Sequence, residues 1–323
     1  MTRLLVDIGG TSVRLGWQLD KDSLINNTVS MACADFATPA DALLHYCAQH
    51  RLDNELLVLA VAAQINGPKV DITNNHWQFD AADLAATIGA TRYLLINDFT
   101  AQALANVALL EPKSVIDQKR HILLREGHVV AGTPMLVTGP GTGLGVAALV
   151  PTAIGPLVIE GEGGHVSYAP RSTAEATMLA ALSSEFGHVS AERLVGGPGL
   201  ETIYRCQTGT SLPAAEIGAG AIAGDTRCHD AVALMLQSFA TVAANAALSF
   251  GAASGIVIAG GIVPKLHTLL DASGFYSRLE DHGRRSDFLA NLPIYLSIDP
   301  YAGLEGAARA AESPHLASRV KAL

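Results

Sequence analysis

Residues 4–11 read Leu4-Leu5-Val6-Asp7-Ile8-Gly9-Gly10-Thr11, an apolar strand running straight into a glycine-and-threonine turn. The device recurs far downstream in Met135-Leu136-Val137-Thr138-Gly139-Pro140-Gly141-Thr142-Gly143. Glycine lets the backbone approach phosphate oxygens and adopt positive φ. Thr11 offers a hydroxyl donor. Asp7, at the strand end, suits the orientation of magnesium, directly or through water. Arg14 is near enough in sequence to reach a phosphate. Residues 139–145 form a second backbone nest. Gly260-Gly261, after Ile256-Val257-Ile258-Ala259, is a third close-approach site, expected under an adenine and ribose. Each loop alone reads as a tight strand exit. Three, each after an apolar strand, predict two strand-turn units closing on one ATP polyphosphate from opposite sides.

Two familiar phosphate devices are missing. No G-x-x-x-x-G-K-[ST] run occurs, and no G-x-G-x-x-G. The start is also unlike a dinucleotide fold, because Val13 to Trp17 continues as a second strand where a helix would follow.

The 323 residues suffice for two domains. Hydrophobic residues make up 49% and aromatics 5%, which suits helices packed closely on parallel strands. The net charge of −9 and the lack of a basic run disfavour nucleic acid as a partner. The four cysteines, at 33, 47, 206 and 228, form no C-x-x-C pair and no zinc spacing, and read as free thiols in a reducing compartment. No signal peptide and no long uncharged apolar run is read, so the expectation is a cytoplasmic protein that meets no membrane.

Along the chain, helical spacing is read over Pro39 to Arg51 and Phe99 to Leu110. Buried strands are read at 56–63 and Tyr93 to Ile96. Residues 111–133 are the most polar connection and mark a domain boundary. Further strands are expected at 144–150 and 155–159. Long helices are expected near 173–186 and 228–250, the latter stopped by Gly251, with a helical tail from 303. The expected domains are 1–110, joined by a C-terminal helix of about 303–323, and 111–302.

Asn97-Asp98 ends the strand at 93–96, where open α/β sheets bind ligands. Asp98 reads either as an N-cap for the next helix or as a carboxylate taking the proton of a hydroxyl that attacks ATP. Glu160-Gly161-Glu162-Gly163-Gly164-His165 spaces two carboxylates and an imidazole with glycines that resist helix. Glu and His together supply acceptors and donors for a polyhydroxylated ligand. A metal site and a solvated loop are the competing readings. His188 after Gly187 reads as a helix-end cap, and Ser190-Ala191-Glu192 as a helix start.

These pieces, in this order, resemble the bacterial ATP-dependent glucokinase family of the sugar-kinase/Hsp70/actin superfamily. The resemblance spans nearly the whole chain. It is carried by Asp7-x-Gly-Gly-Thr11, Thr73-Asn74 with Trp77, Ile96-Asn97-Asp98-Phe99-Thr100, Gly139 to Gly145, Gly161-Glu162-Gly163-Gly164-His165, Gly187-His188-Val189-Ser190-Ala191-Glu192 and Ala259-Gly260-Gly261-Ile262-Val263-Pro264. It implies a two-domain α/β fold of the actin-like ATPase (ribonuclease H-like) kind with an interdomain cleft. It implies ATP with Mg2+ as donor, D-glucose as acceptor and a homodimer. Asp98 is implied as the base for the sugar 6-hydroxyl. Asn97, Glu162, His165 and Glu192 are implied as glucose contacts, with Asn74 and Gly141 at the site's margin. Val6 to Thr11 matches the family's phosphate loop. The order Thr73-Asn74-Asn75-His76-Trp77 departs from the commoner Thr-Asn-His-x-Trp, displacing His76 by one. The related ROK branch carries a cysteine-rich zinc motif after its sugar-binding His, whereas this chain has no cysteine between 48 and 205. A kinase for mannose or fructose, and a non-catalytic sugar- or ATP-binding module, are the alternative readings.

Overall fold

The computed structural model describes residues 2–50, 54–72, 75–112 and 114–323. The expected roles of Thr73 and Asn74, and the helix end at Arg51, lie outside the described residues. The elements run β1 (Arg3–Ile8), β2 (Ser12–Gln18), β3 (Asn26–Ala32), α1 (Pro39–His50), β4 (Leu56–Val61), β5 (Lys69–Asp71), β6 (Gln78–Asp80), α2 (Ala81–Thr87), β7 (Arg92–Asn97) and α3 (Asp98–Ala105). They continue with β8 (His121–Arg125), β9 (Met135–Pro140), β10 (Leu144–Val150), β11 (Leu157–Gly161), α4 (Thr173–Phe186), α5 (Gly197–Thr208), α6 (Ala214–Ile222), α7 (Thr226–Phe250) and β12 (Ile256–Ile258). The chain closes with α8 (Val263–Leu266), α9 (Phe275–Glu280), α10 (Ser286–Ala290), β13 (Ile294–Ser297), α11 (Ala302–Ala310) and β14 (Lys321–Ala322).

The chain divides into two compact units: 1–109 with 149–160 and 299–323, and 110–148 with 161–298. The first unit is built on a six-stranded sheet in the order β14-β7-β4-β1-β2-β3. β1, β4 and β7 are parallel, and β1 turns back on β2 with Asp7 opposite Arg14. β1 and β4 are buried along their whole length, which explains their unbroken apolar sequences. α11 packs on α3 and β1. The approach requires glycine at 306, where a Cβ would lie 1.7 Å from the Ala101 carbonyl oxygen.

The tail is less helical than its composition suggests. α11 stops at Ala310, Pro314 follows, and β14 ends the chain as an edge strand antiparallel to β7. Likewise α3 ends at Ala105, and residues 107–110 form a 3-10 turn.

A further six-stranded sheet runs in the order β11-β10-β9-β12-β13-β8; β9, β12, β13, β8 and most of β10 lie in the second unit. β8 lies inside the polar 111–133 connection and pairs antiparallel with β13. It is a short edge strand whose apolar residues, Ile122 to Leu124, are enclosed by charged sequence on both sides. α7 is long and apolar enough to cross a membrane by length and composition. It is instead a core helix, packed by α5, α6 and α9. Asp225 caps its start by accepting the Cys228 N–H at 3.0 Å, and Gly251, at φ 62°, ends it.

Candidate active site

In the first unit, β1 delivers Asp7 to the strand end, and Gly9, Gly10 and Thr11 make the turn into β2. The Val6 and Ile8 side chains belong to the core, so these two residues can meet a ligand through backbone alone. The turn is closed by Gly9 N–H donating to Ser12 O at 3.0 Å and Cys33 N–H donating to Thr11 O at 3.0 Å. Asn75 donates to Gly9 O at 3.2 Å, and its own Oδ1 accepts the Trp77 N–H at 3.2 Å. The segment around the displaced His76 is thereby fastened to the glycine turn. A cavity of about 330 Å³ opens there, lined by Gly10, Thr11, Cys33, Ala34, Asn75 and His76.

Asp7 is 5% exposed. Burial raises its carboxyl above the ordinary pKa, and the Arg14 guanidinium, 3.3 Å away, pulls it back down. Arg14 therefore has a carboxylate partner, beyond the phosphate contact its sequence position suggested. Room for the Asp7 side chain comes from Gly303 of α11, where a Cβ would stand 2.3 Å from Asp7 Oδ2.

β7 delivers Asn97 and Asp98. Asn97, not Asp98, caps α3: its Oδ1 accepts the Phe99 N–H at 2.9 Å, while its amide donates to Ala63 O at 3.2 Å. Asp98 is the first residue of α3 and half-buried, with Oδ1 also 2.9 Å from the Phe99 nitrogen. A carboxylate there is favoured by the helix dipole.

In the second unit, two of the three glycine loops meet. β9 and β12 are parallel neighbours. A Cβ at Gly139 would lie 1.8 Å from the Ala259 oxygen, and one at Gly260 would lie 2.5 Å from the Pro140 oxygen. These two glycines serve loop-to-loop packing. Gly141 and Gly261 face open space; the Gly141 N–H is used within the loop, donating to Gly143 O at 2.8 Å. α5 starts at this loop: Gly197 N–H donates to Gly141 O at 3.2 Å, after Gly196 at φ 125°. The Gly196-Gly197 pair was the sequence signal for that turn.

The Glu-His segment runs beside β10. Glu162 forms a parallel bridge with Val146, and its carboxylate lies 3.9 Å from His165 Nε2, with both side chains exposed. Gly164 is obligatory, since a Cβ would meet the Leu144 oxygen at 2.2 Å. Glu192 opens no long helix. It sits in a 3-10 turn, 191–193, whose preceding Ser190 makes no capping bond. Its Oε2 accepts the Leu144 N–H at 2.8 Å. A bridge between Ser167 and Ser190 joins the two segments. His188 is no helix cap: Gly187 ends α4, and His188 Nε2 lies 3.1 Å from Ser167 Oγ. Glu160 stands apart from this group, bonded to Thr100 at 2.7 Å and to Arg319 at 2.7 Å within the first unit. No group of three metal-ligating side chains occurs among the described residues.

A family model described as glucokinase matches residues 4–314. The chain belongs to the glucokinase family. A glucokinase of Chromobacterium violaceum is 37% identical over 327 aligned positions, covering 98% of this chain and 91% of that protein. The crystal structure of a glucokinase from an Antarctic psychrotroph superposes with a TM-score of 0.77 at 30% identity, covering 95% of this chain and 97% of that one. A ROK family glucokinase from Streptomyces griseus, solved in complex with glucose and AMPPNP, has a TM-score of 0.65 at 17% identity, with 96% and 98% covered. That last likeness is one of fold. The two-domain, actin-like α/β fold expected from the sequence is the fold of this glucokinase-family chain.

Proposed function

We propose that the chain transfers the γ-phosphoryl group of ATP to O6 of D-glucose, giving glucose 6-phosphate and ADP at the entry to glycolysis. The observation that supports this best is the seat of Glu192. Its carboxylate holds a glycine loop suited to phosphate, while the backbone of its own turn, through Ala191 N–H to Val166 O, joins the segment that carries Glu162 and His165. A phosphotransferase needs such a junction, because positioning and electrostatics dominate its catalysis.

Glu162 and Glu192 accept hydroxyl hydrogens of glucose, and His165 adds an imidazole to the same group. Asn97 contributes a sugar contact. Asp98 orients the 6-hydroxyl and accepts its proton as O6 attacks. Backbone amides of Gly10 and Gly261 and the Thr11 and Thr142 hydroxyls hold phosphate oxygens, while the Gly9 and Gly141 amides close their own turns on Ser12 O and Gly143 O. Mg2+ fits the donor set. It is usually held by one or two carboxylates together with substrate phosphates, and Asp7 is a buried carboxylate at the mouth of the first glycine turn. Bound with ATP, Mg2+ supplies positive charge at the phosphates. The enzyme works in the cytoplasm as a homodimer, free of nucleic acid and membrane, in this reading.

An ADP-coupled assay over a hexose panel, with ATP and with polyphosphate as donor, tests the proposal. D-glucose with ATP should give the highest kcat/KM. A higher value with mannose or fructose moves the substrate. No sugar-dependent ADP release with any hexose overturns the enzyme reading in favour of a binding module.

A further inference from the structure

Behind the Glu162–His165 segment lies a cavity of about 190 Å³. Val166, Ser167 and Tyr168 line it on one side, and Ser238, Thr241 and Asn245 of α7 on the other. The segment packs on β10 through Gly163 and Gly164, but its other side borders this cavity, and Val166 is 54% exposed.

On the cavity side its restraint is polar. Tyr168 N–H donates to Val189 O at 3.0 Å, and Ala191 N–H donates to Val166 O at 2.8 Å. The Tyr168 side chain then turns inward, 6% exposed. Its hydroxyl donates to Glu175 Oε2 at 2.6 Å and lies 3.1 Å from Ser238 Oγ. Glu175, 1% exposed at the start of α4, also accepts the Arg171 N–H at 2.9 Å and pairs with Arg278 of α9. Arg278 reaches Gln237 Oε1 at 3.3 Å. Burial works to raise the Glu175 carboxyl, but hydrogen bonds from Arg278 and Tyr168 hold it below its ordinary pKa. Burial and the neighbouring carboxylate push the Tyr168 phenol up, so it stays a donor. A buried polar cluster this connected favours one arrangement, since breaking any member leaves the others unpaired.

We propose that Tyr168, Glu175 and Arg278 are positioning residues for hexose recognition: their buried cluster fixes the backbone that carries His165 and Glu162. The proposal rests on the glucokinase reading. It assigns a specificity-setting role to residues that themselves touch no sugar.

Tyr168→Phe keeps the ring and removes the hydroxyl. The expected result is a KM for glucose raised about tenfold, the equivalent of one lost hydrogen bond to a charged group. The KM for ATP should stay near wild type, while the thermal midpoint falls by a few degrees for the lost buried hydrogen bond. Arg278→Lys is the second variant, should the first fold poorly, and should show the same selective rise. Equal changes in both KM values, tracking lost stability, overturn the proposal, as does an unchanged glucose KM. Glu162→Gln separates the two levels. If it raises the glucose KM while Tyr168→Phe does not, only the positioning role fails. If Glu162→Gln leaves that KM unchanged, the sugar-site reading fails, and the proposal with it.

Discussion

Glu192 rests on the second glycine loop: its carboxylate accepts the Leu144 N–H at 2.8 Å, and a Cβ on Gly143 would come within 2.5 Å of Oε2. The two are one mechanical unit. Glu192→Gln keeps the size and an acceptor oxygen but loses the charge. It should raise the glucose KM about tenfold, as expected for weakening a charged hydrogen bond, and leave the ATP KM nearly unchanged. Gly143→Ala should raise both KM values, because it displaces the carboxylate and stiffens the loop together. Steady-state kinetics with each substrate varied in turn distinguishes the patterns.

A comparable contact joins Asp7 to Gly303, where a Cβ would stand 2.3 Å from Oδ2. Gly303→Ala should force the Asp7 side chain aside and cost about 1–3 kcal/mol of stability, as overpacking does. The apparent affinity for Mg2+, read from its titration in the kinase assay, should fall along with turnover. An unchanged magnesium titration would remove Asp7 from the metal's neighbourhood.

The pH dependence has a sign that follows from the same carboxylate. Burial raises the Asp7 pKa and Arg14 lowers it. Because the net shift is upward, the folded chain holds this proton more tightly than the unfolded one, and the ionised form costs stability as pH rises through the folded value. Arg14→Ala removes the lowering influence, so Asp7 stays protonated to higher pH. Protons and Mg2+ compete for the carboxylate. The acid limb of kcat/KM should therefore move to higher pH, with the alkaline limb unmoved. A pH–rate profile at fixed magnesium measures it.

Gly306 gives the stability test. Its Cβ would sit 1.7 Å from the Ala101 oxygen, inside the α11–α3 packing. Gly306→Ala should lower the thermal midpoint by several degrees, at roughly 2–4 °C for each kcal/mol lost. Differential scanning calorimetry reads it directly, and kinetics at low temperature should change little.

What could be read from the sequence was local. The β1 turn, the β9 loop and Gly251 declare themselves because an apolar run and the glycine ending it are adjacent in the chain. The Glu162–His165 run stands out for the same reason. Contacts between distant residues leave no such trace. Gly303 and Gly306 look like ordinary small residues on an amphipathic helix until α11 is placed against Asp7 and Ala101. Asn75 enters the sequence reading only within the order from Thr73 to Trp77, and nothing there announces that its amide meets Gly9 O. The Tyr168–Glu175–Arg278 cluster draws on a loop and two helices, α4 and α9, far apart in the chain. β8 is hidden because its three apolar residues, Ile122 to Leu124, sit inside the most polar connection of the chain. Assigning the α3 cap to Asp98 fails by one residue, since Asn97 is as good a cap and stands where the helix begins.

The role of Asp98 is the centre of the chemical account, and one paired measurement addresses it. Asp98→Asn keeps the side chain's shape and its place at the start of α3 while removing the base. Turnover and glucose affinity, measured on the same preparation by coupled kinetics and by calorimetric titration, should separate. The account predicts a kcat lower by about 10²–10⁴, the usual weight of general-base catalysis, with glucose still bound. Near wild-type turnover in that variant would contradict it.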